Sequence, residues 1–189
     1  MNRMKVGVFG LLTCLLIAPS SLAAESEASL VQRGVDQIAR GNYDQAVITF
    51  SRAVKSDPSD LQARRYLCTA LLKNGQAAAA AQQLEMITKF APGNNNDMNL
   101  LAESYLHCGE WEKSAECFKK ALRTDPTDAT AKYGLCRTML AVGDVSGARD
   151  LALHTIRSTS NQKIRTGCSQ ILSQIKERSL VQSAPVGNG

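Results

Sequence analysis

From about residue 27 onward, apolar and polar positions follow the spacing of helix faces, and the whole arrangement returns every thirty-four residues. Leu67, Leu101 and Leu135 are each followed by a small residue, Cys68, Ala102 and Cys136, and Gly34 holds the equivalent place in the first block. Further on, a second small position (Ala46, Ala80, Ser114, Ala148) leads to a larger apolar one at Phe50, Leu84 and Phe118. Small opposite large is what two closely packed helices require, so each block predicts a pair of helices of roughly twelve to fifteen residues. Strand alternation is absent, and the run Ala77 to Ala81 is a strong helix former.

The boundaries keep the same period. Gly41, Gly75, Gly109 and Gly143 mark the turn inside each block, and Pro58, Pro92 and Pro126 follow the first three of them by seventeen residues. Proline lacks an amide donor and disfavours a helical conformation in the residue before it, so Asp57-Pro58, Ala91-Pro92 and Asp125-Pro126 end one block. Asp60, Asn94 or Asn95, and Asp128 then supply acceptors that cap the next helix. Four units begin at Glu27, Leu61, Asn95 and Ala129. Each exposes an apolar face that only a neighbour can bury, which makes the expected product an all-α solenoid. Such a stacked, curved surface binds rather than catalyses.

The residues that carry the period, Gly34, Gly41, Tyr43, Ala46, Phe50, Ala53 and Pro58, return as Leu101, Ala102, Tyr105, Gly109, Trp111, Phe118, Ala121 and Pro126. This pattern resembles the tetratricopeptide repeat over residues 27–162. The resemblance implies a right-handed solenoid of about four helix–turn–helix units, 27–60, 61–94, 95–128 and 129–162, within a domain spanning 25–162. The second unit departs from it with Arg64 at a usually bulky apolar position. The fourth departs further with Ala152, Thr155 and Ser160 in place of a large apolar residue, alanine and proline. After the repeats, Ile164, Cys168, Ile171, Leu172 and Ile175 recur at helical spacing, which predicts a capping helix over 163–178. Residues 179–189 lack a periodic apolar face and are expected to form a disordered tail.

Ahead of the repeats, Arg3 and Lys5 precede an uncharged stretch from Val6 to Ala18, then Pro19 and small residues up to Ala24. The apolar stretch is too short to span a hydrocarbon core of about 30 Å, so residues 1–24 read as a signal peptide removed after Ala23 or Ala24. An uncleaved membrane anchor and a lipid on Cys14 are the alternatives, and either would tie the protein to a membrane. The expected location is exported, with a bacterial periplasm suiting the leader best and a secretory lumen as the other option. Loss of Arg3 and Lys5 would lower the net charge from +5 to about +3. No run of five basic residues occurs, which argues against a nucleic-acid partner.

In proteins similar to this one, the first helix of each unit lines the concave side. Carried over position by position, the resemblance implies that Val31 and Val35 face inward from the first unit. Arg65, Thr69 and Lys73 follow from the second, Asn99, Glu103 and His107 from the third, and Tyr133 and Arg137 from the fourth. The set is net basic, and its Arg and Lys suit carboxylates on an extended or helical protein segment. One subgroup of the family grips a C-terminal carboxylate with lysine and asparagine at the places held here by Val31 and Val35, so that clamp is not expected.

The remaining candidate chemistry lies in the cysteines. Without Cys14 there are five, an odd number, and no C-x-x-C, haem or zinc spacing is present. Cys68 and Cys136 occupy equivalent packing positions two units apart, too far for a disulfide, and Cys117 and Cys168 read as core residues. His107 and Cys108 are adjacent, and neighbouring residues on a helix point about 100° apart. No catalytic residues, no cofactor and no metal are expected. The function implied is a protein-binding adaptor, scaffold or assembly factor, with a thiol-redox or metal-binding protein as the alternative of another class.

Overall fold

The computed structural model describes residues 26–183, and among them the chain forms helices only. These are α1 Glu27–Ala39, α2 Tyr43–Ser56, α3 Leu61–Lys73, α4 Ala77–Phe90, α5 Asn95–His107, α6 Trp111–Thr124, α7 Ala129–Ala141, α8 Val145–Ser158 and α9 Gln162–Ser183. The expected leader, residues 1–24, and residues 184–189 of the expected tail lie outside the described residues. No helix among the described residues is long and apolar enough to cross a membrane.

The turn inside each unit is the same device used four times. Gly41 sits at a φ of 78°, a left-handed conformation that a Cβ would strain, and Gly75, Gly109 and Gly143 repeat it. This conformation lets the Asn42 amide donate back to the Gln37 carbonyl at 2.9 Å while Gly41 donates to Ile38 at 3.0 Å. The two bonds satisfy carbonyls that the end of α1 would otherwise leave bare. Gln76 to Leu71, Glu110 to Tyr105 and Asp144 to Met139 reproduce the Asn42-to-Gln37 bond in the other units.

Between units, side chains take over. Asp60 caps α3 through the Gln62 amide, Asn94 caps α5 through Asn96 and Asp97, and Asp128 caps α7 through Thr130 and Ala131. Of the two candidate asparagines, Asn94 is the cap and Asn95 is the first residue of the helix. Arg64 is also accounted for. Its guanidinium donates to the Gln83 side chain and to the Pro58 carbonyl, both at 2.8 Å, so its stem covers the seam between units where a bulky apolar residue is usual.

Packing order defines the two faces. Every helix touches the next, and the odd-numbered helices also touch one another in sequence, α1 with α3, α3 with α5, α5 with α7 and α7 with α9, whereas α2, α4, α6 and α8 make no such contacts. Odd helices therefore form the crowded inner layer and even helices the splayed outer one. The core lies between the layers. Phe50 is buried against Gly34 so tightly that a Cβ there would lie 2.5 Å from the ring, and Phe118 stands likewise over Gly134.

One boundary differs from expectation. The capping helix runs Gln162–Ser183, so residues 179–183 of the expected tail are helical. Ser179 to Ser183 contains neither glycine nor proline, and the first breaker is Pro185. The Ser179 hydroxyl also donates to the Lys176 carbonyl at 2.7 Å. Asn161 starts this helix, accepting from the amides of Lys163 and Ile164. Because α9 packs on α8 and α7 as α7 packs on α6 and α5, it occupies the place of a fifth first helix.

Candidate functional site on the inner layer

The inner layer carries two depressions. The first, about 330 Å³, lies across α3 and α5 and is lined by Arg65, Thr69, Asn99 and Glu103 together with Gln62, Tyr66, Asn94 and Asp97. The second, about 300 Å³, lies between α7 and α9 and is lined by Tyr133 and Arg137 with Gly167, Gln170, Gln174 and Arg178. Glu103 accepts from Arg137 at 3.1 Å, and this pair bridges the residues of one depression to those of the other. The structure thus brings six of the expected residues to concavities. Lys73 and His107 line neither; both are exposed on the last turns of α3 and α5, with the His107 ring 3.7 Å from Glu103. Val31 and Val35 are half-buried and pack against the apolar core of the first units.

The expected basic character is not what these side chains present. Arg65 makes a two-pronged pair with Asp97, Nε to Oδ1 at 2.7 Å and Nη2 to Oδ2 at 2.8 Å, and the Asp97 side chain is fully buried. Those hydrogen bonds push the Arg65 guanidinium above its ordinary value. Arg137 is committed to Glu103 and lies 5.8 Å from the Tyr133 ring centre. Both arginines are therefore held by carboxylates of the same chain. What the first depression offers in their place is Asn99. Its amide nitrogen donates to Asp128 at 2.7 Å, while its Oδ1, on a residue only 7% exposed, has no partner. A buried acceptor left unpaired costs about 1–3 kcal/mol, and because this oxygen has essentially no accessible surface a donor reaches it only if the side chains around it shift.

Asp97 and the contribution of α9 were missed by sequence reasoning. A usable signal existed. Arg65 and Asp97 are thirty-two residues apart and Glu103 and Arg137 thirty-four, which is the offset of facing positions on successive first helices. Elsewhere, a larger hollow of about 520 Å³ lies between α6 and α7, lined by Trp111, Ala115, Leu135, Met139 and Val142 with charged residues at its rim. Among the described residues, no cluster of three or more His, Cys, Asp or Glu could hold a metal ion. The thiols of Cys68, Cys117 and Cys136 are pushed up by burial, to about 12, 11 and 12. Cys108 is exposed, and its thiol is raised as well.

Paired helices stacked in one dimension, with an inner layer bearing polar hollows, define a helical-repeat scaffold. This chain carries tetratricopeptide repeats. Two family models described as tetratricopeptide repeat match it, over residues 37–103 and 97–128. Its fold is shared with TTC0263, a thermophilic tetratricopeptide repeat protein of Thermus thermophilus, at 22% identity, a TM-score of 0.71, and coverage of 85% of this chain and 93% of that one. MamA from Desulfovibrio magneticus is 24% identical with a TM-score of 0.66, covering 74% and 78% of the respective chains. The first such domain of human RPAP3 is 14% identical with a TM-score of 0.57, covering 62% and 93%. Repeats of this kind are protein-interaction modules, and scaffolds built from them are typically non-catalytic.

Proposed function

We propose that this protein is an exported adaptor or assembly factor that holds a segment of a partner protein along its inner layer, by binding alone and without catalysis. The observation that carries this reading is the first depression. It is preformed, its arginine is clamped by Asp97, and it is lined by polar side chains of α3 and α5, among them Thr69, Asn99 and Glu103. A rigid receptor avoids part of the ordering cost that a flexible one meets on binding. With Arg65 and Arg137 already paired, the favoured contact is a donor on the segment, such as a backbone N–H, directed at the partly exposed Glu103 carboxylate, with aliphatic or aromatic side chains against Tyr66 and Tyr133. Acidic side chains on the segment would compete with Asp97 and Glu103. Export rests on the leader, with a retained anchor or a lipid on Cys14 as the membrane-bound alternative.

The test compares captures from the native envelope fraction by the wild-type protein, by Thr69→Arg, which fills the first depression, and by Ile48→Ser on an outer helix. Loss of a captured protein with Thr69→Arg and its retention with Ile48→Ser is the expected result. The reverse pattern would move the binding surface to the outer layer and sink the proposal. The intact mass of the purified protein checks export: an N-terminus at Ala24 or Glu25 is expected, and a lipid mass on Cys14 would replace release with anchoring.

A further inference from the structure

Cys136 and Cys168 stand apart from the other thiols. Each is 0% exposed, and both belong to one apolar cluster with Ala148, Ala152, Ile164 and Ile171. Cys136 is on α7 and Cys168 on α9, and these two helices are in direct contact. Their thirty-two-residue separation is that of Arg65 and Asp97, whose side chains touch across the equivalent pair of helices. Beside them the backbones are close: a Cβ on Gly167 would lie 2.7 Å from the Tyr133 ring, so α9 passes over α7 at a point that tolerates no larger residue.

We propose that Cys136 and Cys168 form a site of reversible disulfide formation that staples the capping helix to the last repeat. The oxidant is a small-molecule or protein disulfide. One thiolate attacks a sulfur of that disulfide and releases one oxidant thiol, leaving a mixed disulfide. The second thiolate then attacks the protein sulfur of the mixed disulfide and releases the other oxidant thiol. Two protons and two electrons leave the pair, and the oxidant disulfide becomes two thiols. Burial raises both thiols above their ordinary value, so the closed cluster holds little thiolate and reacts when α9 opens. Among the described residues α9 packs on α7 and α8 alone, and a helix held from one side opens more readily than one packed between two units. The bond would close a loop containing all of α8 and fix Gly167 against Tyr133, and with them the second depression. This inference stands whether or not that depression receives a partner.

The full chain is incubated with oxidised glutathione at pH 8 and, separately, refolded from urea in the same redox pair; free thiols are then alkylated and the protein is digested with trypsin. In both preparations the expected product is a disulfide joining the peptide Tyr133–Arg137 to Thr166–Lys176. It lowers the mass of the pair by two hydrogens. A rise of several degrees in Tm, reversed by dithiothreitol and absent in Cys136→Ser and Cys168→Ser, accompanies it. Recovery of both cysteines in alkylated form after both treatments overturns the proposal. So does a glutathione adduct without the link, or a link from either cysteine to Cys108 or Cys117.

Discussion

Arg65 shows why the charge of a residue does not by itself describe the surface it contributes to. As sequence it is a free cation facing a groove, yet its guanidinium is spent on Asp97, which has no exposed side-chain surface. Removing one partner of a buried pair leaves the other charge uncompensated, at a cost of about 3–5 kcal/mol, and the 23% exposure of Arg65 brings the expected cost to the lower end. Arg65→Leu should thus lower stability by about 3 kcal/mol in urea unfolding, and Arg65→Leu with Asp97→Leu should recover most of it. An additive double mutant would mean that the two side chains do not depend on each other. Substitutions at Arg65 in a binding assay consequently need a stability control, and so does Thr69→Arg, at a half-buried position whose hydroxyl donates to the Arg65 carbonyl one turn back.

At the scale of elements, the helices were legible because turn chemistry and hydrophobic period coincide at the boundaries of the first three units. The left-handed glycine, the proline and the cap each act locally, and local interactions are those a sequence states openly. The end of α9 was not legible, because residues 179–183 lack a periodic apolar face, whereas only a breaker stops a helix already nucleated. The links between units add a titratable device. Asp57 accepts from the Ser59 amide and hydroxyl at 2.8 and 2.6 Å, and Asp125 accepts from Thr127 at 2.8 and 2.7 Å. These hydrogen bonds, to the side chain first and the backbone second, hold both carboxyls below their ordinary value of 3.8. A lowered folded-state value contributes stability that is present above the ordinary value and lost as pH falls through the lowered one. The double variant Asp57→Asn with Asp125→Asn keeps an acceptor and loses the titration. Its Tm should fall less steeply than that of the wild type between about pH 4 and pH 2. Parallel profiles would show that these turns do not contribute to acid sensitivity.

On the scale of the whole molecule, stability is passed along a line. Each helix touches its sequence neighbours and the odd-numbered helices also touch the next of their own layer, so among the described residues no contact ties the first unit to the last. The same linearity explains why the candidate site was only half legible. Which helix faces inward followed from the repeat, but what a side chain meets there depends on the register of the next unit, as with Arg65 on Asp97 and Asn99 on Asp128. At the C-terminal end this dependence becomes a requirement. Ile164, Ile171 and Ile175 of α9 are nearly fully buried, and they cover Ala148, Ala152 and Cys136 of the last repeat. Burying one such side chain contributes about 1.5–3 kcal/mol, so the three together match a large part of the 5–15 kcal/mol typical of a whole domain. A chain ending at Ser160 should lose its cooperative transition or melt far below the wild type, and should bind the dye ANS at 25 °C. Hydrogen exchange in the shortened chain should accelerate most in α7 and α8 and least in α3 and α4, because the loss is transmitted only through neighbours. Uniform acceleration along all eight helices would instead mean that the stack unfolds as a single unit, and an unchanged Tm would mean that α9 is not part of the core.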